Sequence, residues 1–147
     1  EDFAVEAGKV EEFARAVKDD NSAHRDAEAA AAQGFDRIPA PLTFERVSSF
    51  PRYSVAEGMG IDIRFREEYA IHGEQSYEIE RPMQVGDVLT GETTLTNVYQ
   101  RDGGRGGTMT FAELETEYTD QDGETVMVAR ATAIETAGAI DAEGEDD

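Results

Sequence analysis

The sequence predicts an α+β domain in which short helices precede a meander of antiparallel strands. Three observations predict it. Helix-type apolar spacing is confined to the N-terminal third, alternation with period two sets in from Tyr69 onward, and turn signals cut the second half into strands.

Residues 9–18 read as a helix because Val10, Phe13, Ala14 and Val17 fall at i, i+3, i+4 and i+7, giving one apolar face. Residues 23–33 are Ala-rich and helical by propensity, with Gly34 as terminator. In Ile38-Pro39-Ala40-Pro41 two prolines force an extended segment. Leu42 to Phe50 is expected to be a third helix, with Thr43 as N-cap and Pro51 limiting its length. Ser54 to Glu68, containing Gly58 and Gly60, reads as a loop. Tyr77, Ile79 and Arg81 then alternate with Ser76, Glu78 and Glu80, as in a half-buried strand, and Pro82 with Gly86-Asp87 makes a turn. Further strands are predicted at Thr90–Tyr99, Thr108–Tyr118 and Glu124–Glu135, with Arg101-Asp102-Gly103-Gly104 and Asp120-Gln121-Asp122-Gly123 as the breaks. Strands of this length must cover a helix to bury an apolar face, so a curved sheet wrapped around the helix near Leu42 is expected. Residues 1–136 make one domain, and the acidic, Gly/Ala-rich residues 137–147 are expected to be a disordered tail.

Composition narrows the function classes. The 147 residues carry 33 acidic and 13 basic side chains, a net charge of −20, and only Lys9 and Lys18 are lysines. Such self-repulsion is tolerable where salt screens it, at a Debye length of about 3 Å in 1 M salt, so a protein suited to concentrated salt is expected. No basic stripe is present to displace counterions, which argues against nucleic acid as a ligand. No apolar run is long enough to span a membrane as a helix, and the acidic start lacks a signal-peptide pattern, so a cytoplasmic location is expected. The absence of cysteine excludes disulfides, thiolate metal sites and a Cys nucleophile.

The candidate chemistry lies in Asp19-Asp20-Asn21-Ser22-Ala23-His24, at a helix-to-helix corner. Asp19 and His24 form an acid/base pair suited to moving protons near neutrality. The same residues also read as caps, with Asp19, Asn21 and Ser22 satisfying helix ends and His24 solvated. His72-Gly73-Glu74-Gln75 contains the second histidine, read as structural; with two histidines in all, a metal site is not expected. The glycine-rich run Arg101 to Gly107 sits between strands and reads as a hairpin rather than a phosphate loop.

Several blocks, taken in order, resemble one family. They are Phe13-Ala14-Arg15-Ala16-Val17-Lys18-Asp19-Asp20-Asn21, Gly34-Phe35 with Ile38-Pro39-Ala40-Pro41, His72-Gly73-Glu74-Gln75, Arg81-Pro82 with Gly86-Asp87, and Arg105-Gly106-Gly107 through Tyr118. Together they resemble the MaoC-like (R)-specific hydratases and dehydratases, in particular the FAS1-like dehydratase N-terminal branch. The resemblance implies a hotdog fold, assembly as a homodimer or as a heterodimer with a second hotdog protein, and acyl thioesters of CoA or acyl carrier protein as substrates, with no further cofactor. Of the two, acyl-CoA is expected, since a net charge of −20 repels an acidic carrier. The reaction implied is reversible hydration of a 2-enoyl thioester to the (3R)-hydroxyacyl thioester.

Against a family signature close to Gly-Asp-x-Asn-Pro-x-His, Asp19, Asn21 and His24 match, while Lys18 replaces Gly and Ser22 replaces Pro. The resemblance makes Asp19 and His24 the catalytic pair around one water, with Asn21 fixing the corner or orienting that water. The thioester oxygen needs backbone N–H donors. Relatives use a His-Gly pair there; this chain has Pro39-Ala40-Pro41-Leu42, leaving the amides of Ala40, Leu42 or Thr43. Arg101 and Arg105 are the candidates for CoA phosphates. The proline-rich corner also supports an alternative, a non-catalytic hotdog subunit that binds acyl thioester beside a catalytic partner. Non-catalytic relatives tend to lose the His, and His24 is retained.

Overall fold

The apolar spacing and the alternating segments give the expected elements, with shifted boundaries. The computed structural model describes residues 3–49, 65–66, 69–103 and 107–136. A short strand β1 (Phe3–Ala4) leads into helix α1 (Ala7–Ala16), a 3₁₀ turn (Ser22–His24), helix α2 (Ala27–Ala32) and a second 3₁₀ helix (Phe44–Ser49). Four long strands follow, β2 (Ala70–Ile79), β3 (Val88–Asp102), β4 (Thr108–Thr119) and β5 (Thr125–Glu135). They form a five-stranded sheet in the order β1-β3-β4-β5-β2.

Three expectations are revised. The helix expected over 23–33 is broken, because Asp26 adopts an extended backbone and accepts the Ala29 amide at 2.7 Å, capping a new helix. The helix expected from Leu42 is a 3₁₀ helix starting at Phe44; its continuation at Phe50, the loop expected over Ser54 to Glu68 apart from residues 65–66, and the tail at 137–147 lie outside the described residues. Strand β1 was not expected; Phe3 and Ala4 pair antiparallel with Leu89 and Val88.

The chain divides into two compact units. The first comprises Glu1–Gly58, Glu78–Glu92 and Glu117–Val128. Its core centres on Phe44, which is fully buried, stacked on Phe3 at 5.8 Å and met edge-on by Phe13 at 5.6 Å. Val10 and Ala14, from the predicted face of α1, are buried with Leu89, Val126 and Met127. The second unit comprises Met59–Tyr77, Thr93–Thr116 and Ala129–Asp147. There Tyr99 on β3 stacks on Phe111 of β4 at 4.9 Å, and Ala112 is buried. Gly73 on β2 is a packing glycine: a Cβ there would lie 2.5 Å from Ile134 Cδ1 and 3.2 Å from the Thr132 carbonyl of β5. That accounts structurally for the His72-Gly73-Glu74-Gln75 block, in which His72 is exposed.

Candidate active site

The corner after α1 is built by a two-bond helix stop. The Lys18 amide donates to the Arg15 carbonyl at 3.2 Å and the Asp19 amide to the Ala14 carbonyl at 2.8 Å, the Schellman pattern. Lys18 takes the left-handed conformation the motif requires, with φ 60°. Asp19 is thus the first residue past the stop, and its direction is set by backbone geometry. The Asn21 amide donates to Asp19 Oδ1 at 3.1 Å. Asn21 Oδ1 in turn accepts the Ala23 amide at 3.1 Å, capping the 3₁₀ turn that carries His24. Asn21 and Gln33 of the segment after α2 exchange amide hydrogen bonds of 3.2 and 2.9 Å. The Asn21 side chain is therefore occupied in holding the corner.

His24 is buried and bonded at both ring nitrogens. Nδ1 lies 2.7 Å from the Pro39 carbonyl and Nε2 lies 3.1 Å from Asp19 Oδ2. A carbonyl has no proton to give, so Nδ1 carries one and donates it. The Nε2–Oδ2 contact then needs one more proton: an imidazolium faces a carboxylate, or a neutral imidazole accepts from a carboxylic acid. The hydrogen bond from the Asn21 amide, opposed by desolvation and aided by the field of His24, holds the Asp19 carboxyl below its ordinary range. The two side chains touch directly, so a water at this site lies beside the pair rather than between its members.

The Pro39 carbonyl ties this pair to the proline-rich segment. The Ala40 amide is already donated to the Met83 carbonyl at 2.7 Å, which removes it from the expected set of thioester donors. Pro41 has no N–H, and its carbonyl accepts the Phe44 amide at 2.9 Å. The Leu42 and Thr43 amides have no acceptor among the described residues and lie just ahead of the second 3₁₀ helix. Asp19, Asn21, His24, Leu42 and Thr43 thus belong to one connected stretch of structure in the first unit. Arg101 belongs to the second unit, its guanidinium over the Tyr99 ring at 5.0 Å and the Phe111 ring at 5.7 Å. Arg105 lies outside the described residues.

Sequence reasoning missed a second cluster. Asp87, with no exposed surface, accepts Arg37 Nη2 at 2.6 Å on Oδ1, and Arg81 Nη1 at 2.7 Å and the Gln84 amide at 2.9 Å on Oδ2. Arg81 also reaches Asp120 Oδ2 at 2.8 Å, and Arg37 the Val85 carbonyl at 3.0 Å. Burial pushes the Asp87 carboxyl up, but the hydrogen bonds from Arg81, Gln84 and Arg37 outweigh it and hold the group below its ordinary range. Arg81 and Gly86-Asp87 carried the family resemblance, yet nothing in their spacing pointed to Arg37.

The fold belongs with that of the hotdog hydratases and dehydratases. A family model described as FAS1-like, dehydratase domain region, matches residues 1–129. A UPF0336 protein of Saccharopolyspora erythraea is 34% identical over 145 residues, covering 98% of this chain and 88% of its own length. One from Mycobacterium tuberculosis is 30% identical over 143 residues, covering 97% and 82%. Among solved structures, the HadBC (3R-hydroxyacyl-ACP dehydratase) complex of Mycobacterium tuberculosis matches with a TM-score of 0.74 and 30% identity, over 91% of this chain and 90% of that one. A MaoC-like dehydratase matches at 0.77 and 28% identity, over 93% of this chain and 40% of its own. The (R)-hydratase of A. caviae shares the fold at 0.62, with 21% identity over 90% of this chain and 89% of its own. The chain belongs to the FAS1-like dehydratase region family, and the hotdog fold implied by the sequence is borne out.

Proposed function

We propose that the protein is a (3R)-specific 2-enoyl-thioester hydratase and 3-hydroxyacyl-thioester dehydratase in which Asp19 and His24 are the acid/base pair. The observation that carries this reading is the His24 ring, buried and bonded to both Pro39 and Asp19. In hydration, one member of the pair takes a proton from water as its oxygen bonds to C3. Electron density moves to the thioester oxygen, and C2 then receives a proton from the pair. One proton enters and one leaves, so the pair ends as it began. In this reading the Leu42 and Thr43 amides donate to the thioester oxygen, the role that the family resemblance gives to a His-Gly pair. Asn21 holds the corner.

The substrate in this reading is an acyl-CoA, because an acidic carrier protein is repelled by a net charge of −20. Arg101 and Arg105 remain the proposed contacts for CoA phosphates. The similarity to a complex described as acting on acyl-ACP makes both carriers part of the test.

The experiment is hydration of crotonyl-CoA and of longer enoyl-CoA and enoyl-ACP thioesters in molar KCl, with His24→Ala alongside. Turnover that disappears with His24 supports the reading. Silence of the folded protein toward every thioester overturns it in favour of a second reading, a subunit paired with a catalytic hotdog protein. That reading is favoured by the similarity to a chain of the HadBC complex and by the prolines at positions 39 and 41. Co-purification as a mixed dimer checks it.

A further inference from the structure

A buried ion cluster is weak evidence for stability, because an apolar core of equal volume serves as well or better. The Asp87 cluster therefore raises the question of what its geometry holds. Two of its contacts, those with Arg37 and the Gln84 amide, lead to one backbone segment that is further paired with residues 83–85. Arg37, bound to Asp87, immediately precedes Ile38-Pro39-Ala40. The Ile38 carbonyl accepts the Val85 amide at 2.9 Å, and the Ala40 amide donates to the Met83 carbonyl at 2.7 Å. Pro39 bridges to Gln84, whose own amide donates to Asp87. Pro39 has no N–H of its own to anchor it, so its neighbours fix the direction of its carbonyl. That carbonyl is the acceptor for His24 Nδ1.

We infer that Asp87 is a positioning residue for the Asp19–His24 pair, acting through the Pro39 carbonyl to keep the proton on His24 Nδ1 and to present Nε2 to Asp19. The inference rests on the hydratase reading for its consequence in turnover, but not for its structural content. Replacing one carboxylate oxygen of Asp87 by an amide NH₂ sets a donor against a guanidinium donor. The hold on the 37–40 segment then loosens without any change at Asp19, His24 or Pro39.

The chain's two histidines make the test direct. In the full ¹⁵N-labelled protein, His24 and exposed His72 give two imidazole spin systems, with His72 as internal control. The expected result is that wild type shows a slowly exchanging Nδ1–H on His24. Folded Asp87→Asn loses that protection and populates both tautomers, with His72 unmoved. In parallel, kcat falls on the order of 100-fold at unchanged KM, the scale of a misplaced catalytic group. His24 ring signals unchanged in folded Asp87→Asn overturn the inference. If that variant does not fold, Arg37→Gln decides by the same readout, since Arg37 is 41% exposed and its loss leaves Arg81 on Asp87. A His24 tautomer that depends on Asp87 in a protein inert toward all thioesters supports the positioning role and overturns the hydratase reading. An active enzyme whose ring signals ignore Asp87 does the reverse.

Discussion

Asp19 and Asp87 are both held below the ordinary carboxyl range, yet their surroundings are opposite. Asp19 keeps 39% of its side chain exposed and faces an imidazole, a partner that can gain or give a proton near neutrality. Asp87 is completely buried between two guanidinium groups, which do not release protons in proteins. One carboxylate sits where proton traffic is possible and the other where it is forbidden. In the proposed reading, a pair for chemistry and a cluster for geometry are told apart by what their partners can do, since both are lowered alike.

Substitutions can break this contrast. The largest effect is expected for Asp19→Asn, which should lower hydration turnover by roughly 10³-fold. Its thermal midpoint should move little, because the group is partly exposed; a steady-state assay beside calorimetry separates the two. Arg81→Ala should reverse the pattern in stability. It leaves Asp87 and Asp120 without a shared cation, and breaking such a buried pair costs about 3 kcal/mol. At about 3 °C per kcal/mol for a chain of this size, the midpoint should fall by about 10 °C.

Acid sharpens the comparison further. A carboxyl lowered by folding stabilises the protein above its unfolded value of about 3.9, and that stabilisation is lost as pH falls through the lower folded value. The stability gap between wild type and Asp87→Asn should therefore narrow as pH drops below about 4, measured by denaturant unfolding across the range. A gap that widens contradicts the buried ionised state. The smallest effect concerns the stop that aims Asp19: Lys18→Gly removes a left-handed non-glycine residue and should stabilise the fold by about 1 kcal/mol or less. A small rise in midpoint at unchanged turnover is the expected outcome.

Elements that rest on local repetition were legible in the sequence. The face made by Val10, Phe13 and Ala14 gave α1, although Val17 proved to be its exposed C-cap, and alternation with Asp-Gly at 122–123 placed β4 and β5 within a residue or two. The Asp19-x-Asn21-x-x-His24 spacing placed three residues at one corner, and the structure brings them together. What was illegible depends on partners distant in the chain. β1 is two residues long and exists through its pairing with Leu89 and Val88, so no periodicity can announce it. Arg37 and Asp87 are 50 positions apart, and Arg81 and Asp120 are 39 apart. Ala40 looked available as a donor because the sequence cannot show that Met83 lies opposite it. The sequence reads Asp19, Asn21, Ser22 and His24 equally as caps and a solvated histidine; the structure instead buries His24 against Pro39 and Asp19.

The turn at Lys18 bears on how such sites are found at all. The family signature carries glycine at this position and proline at the one Ser22 fills, and both letters encode backbone habits: a left-handed stop and the first residue of a helical turn. This chain keeps both habits with other side chains. A pattern spelled in those letters would discard a corner that other side chains bend in the same way.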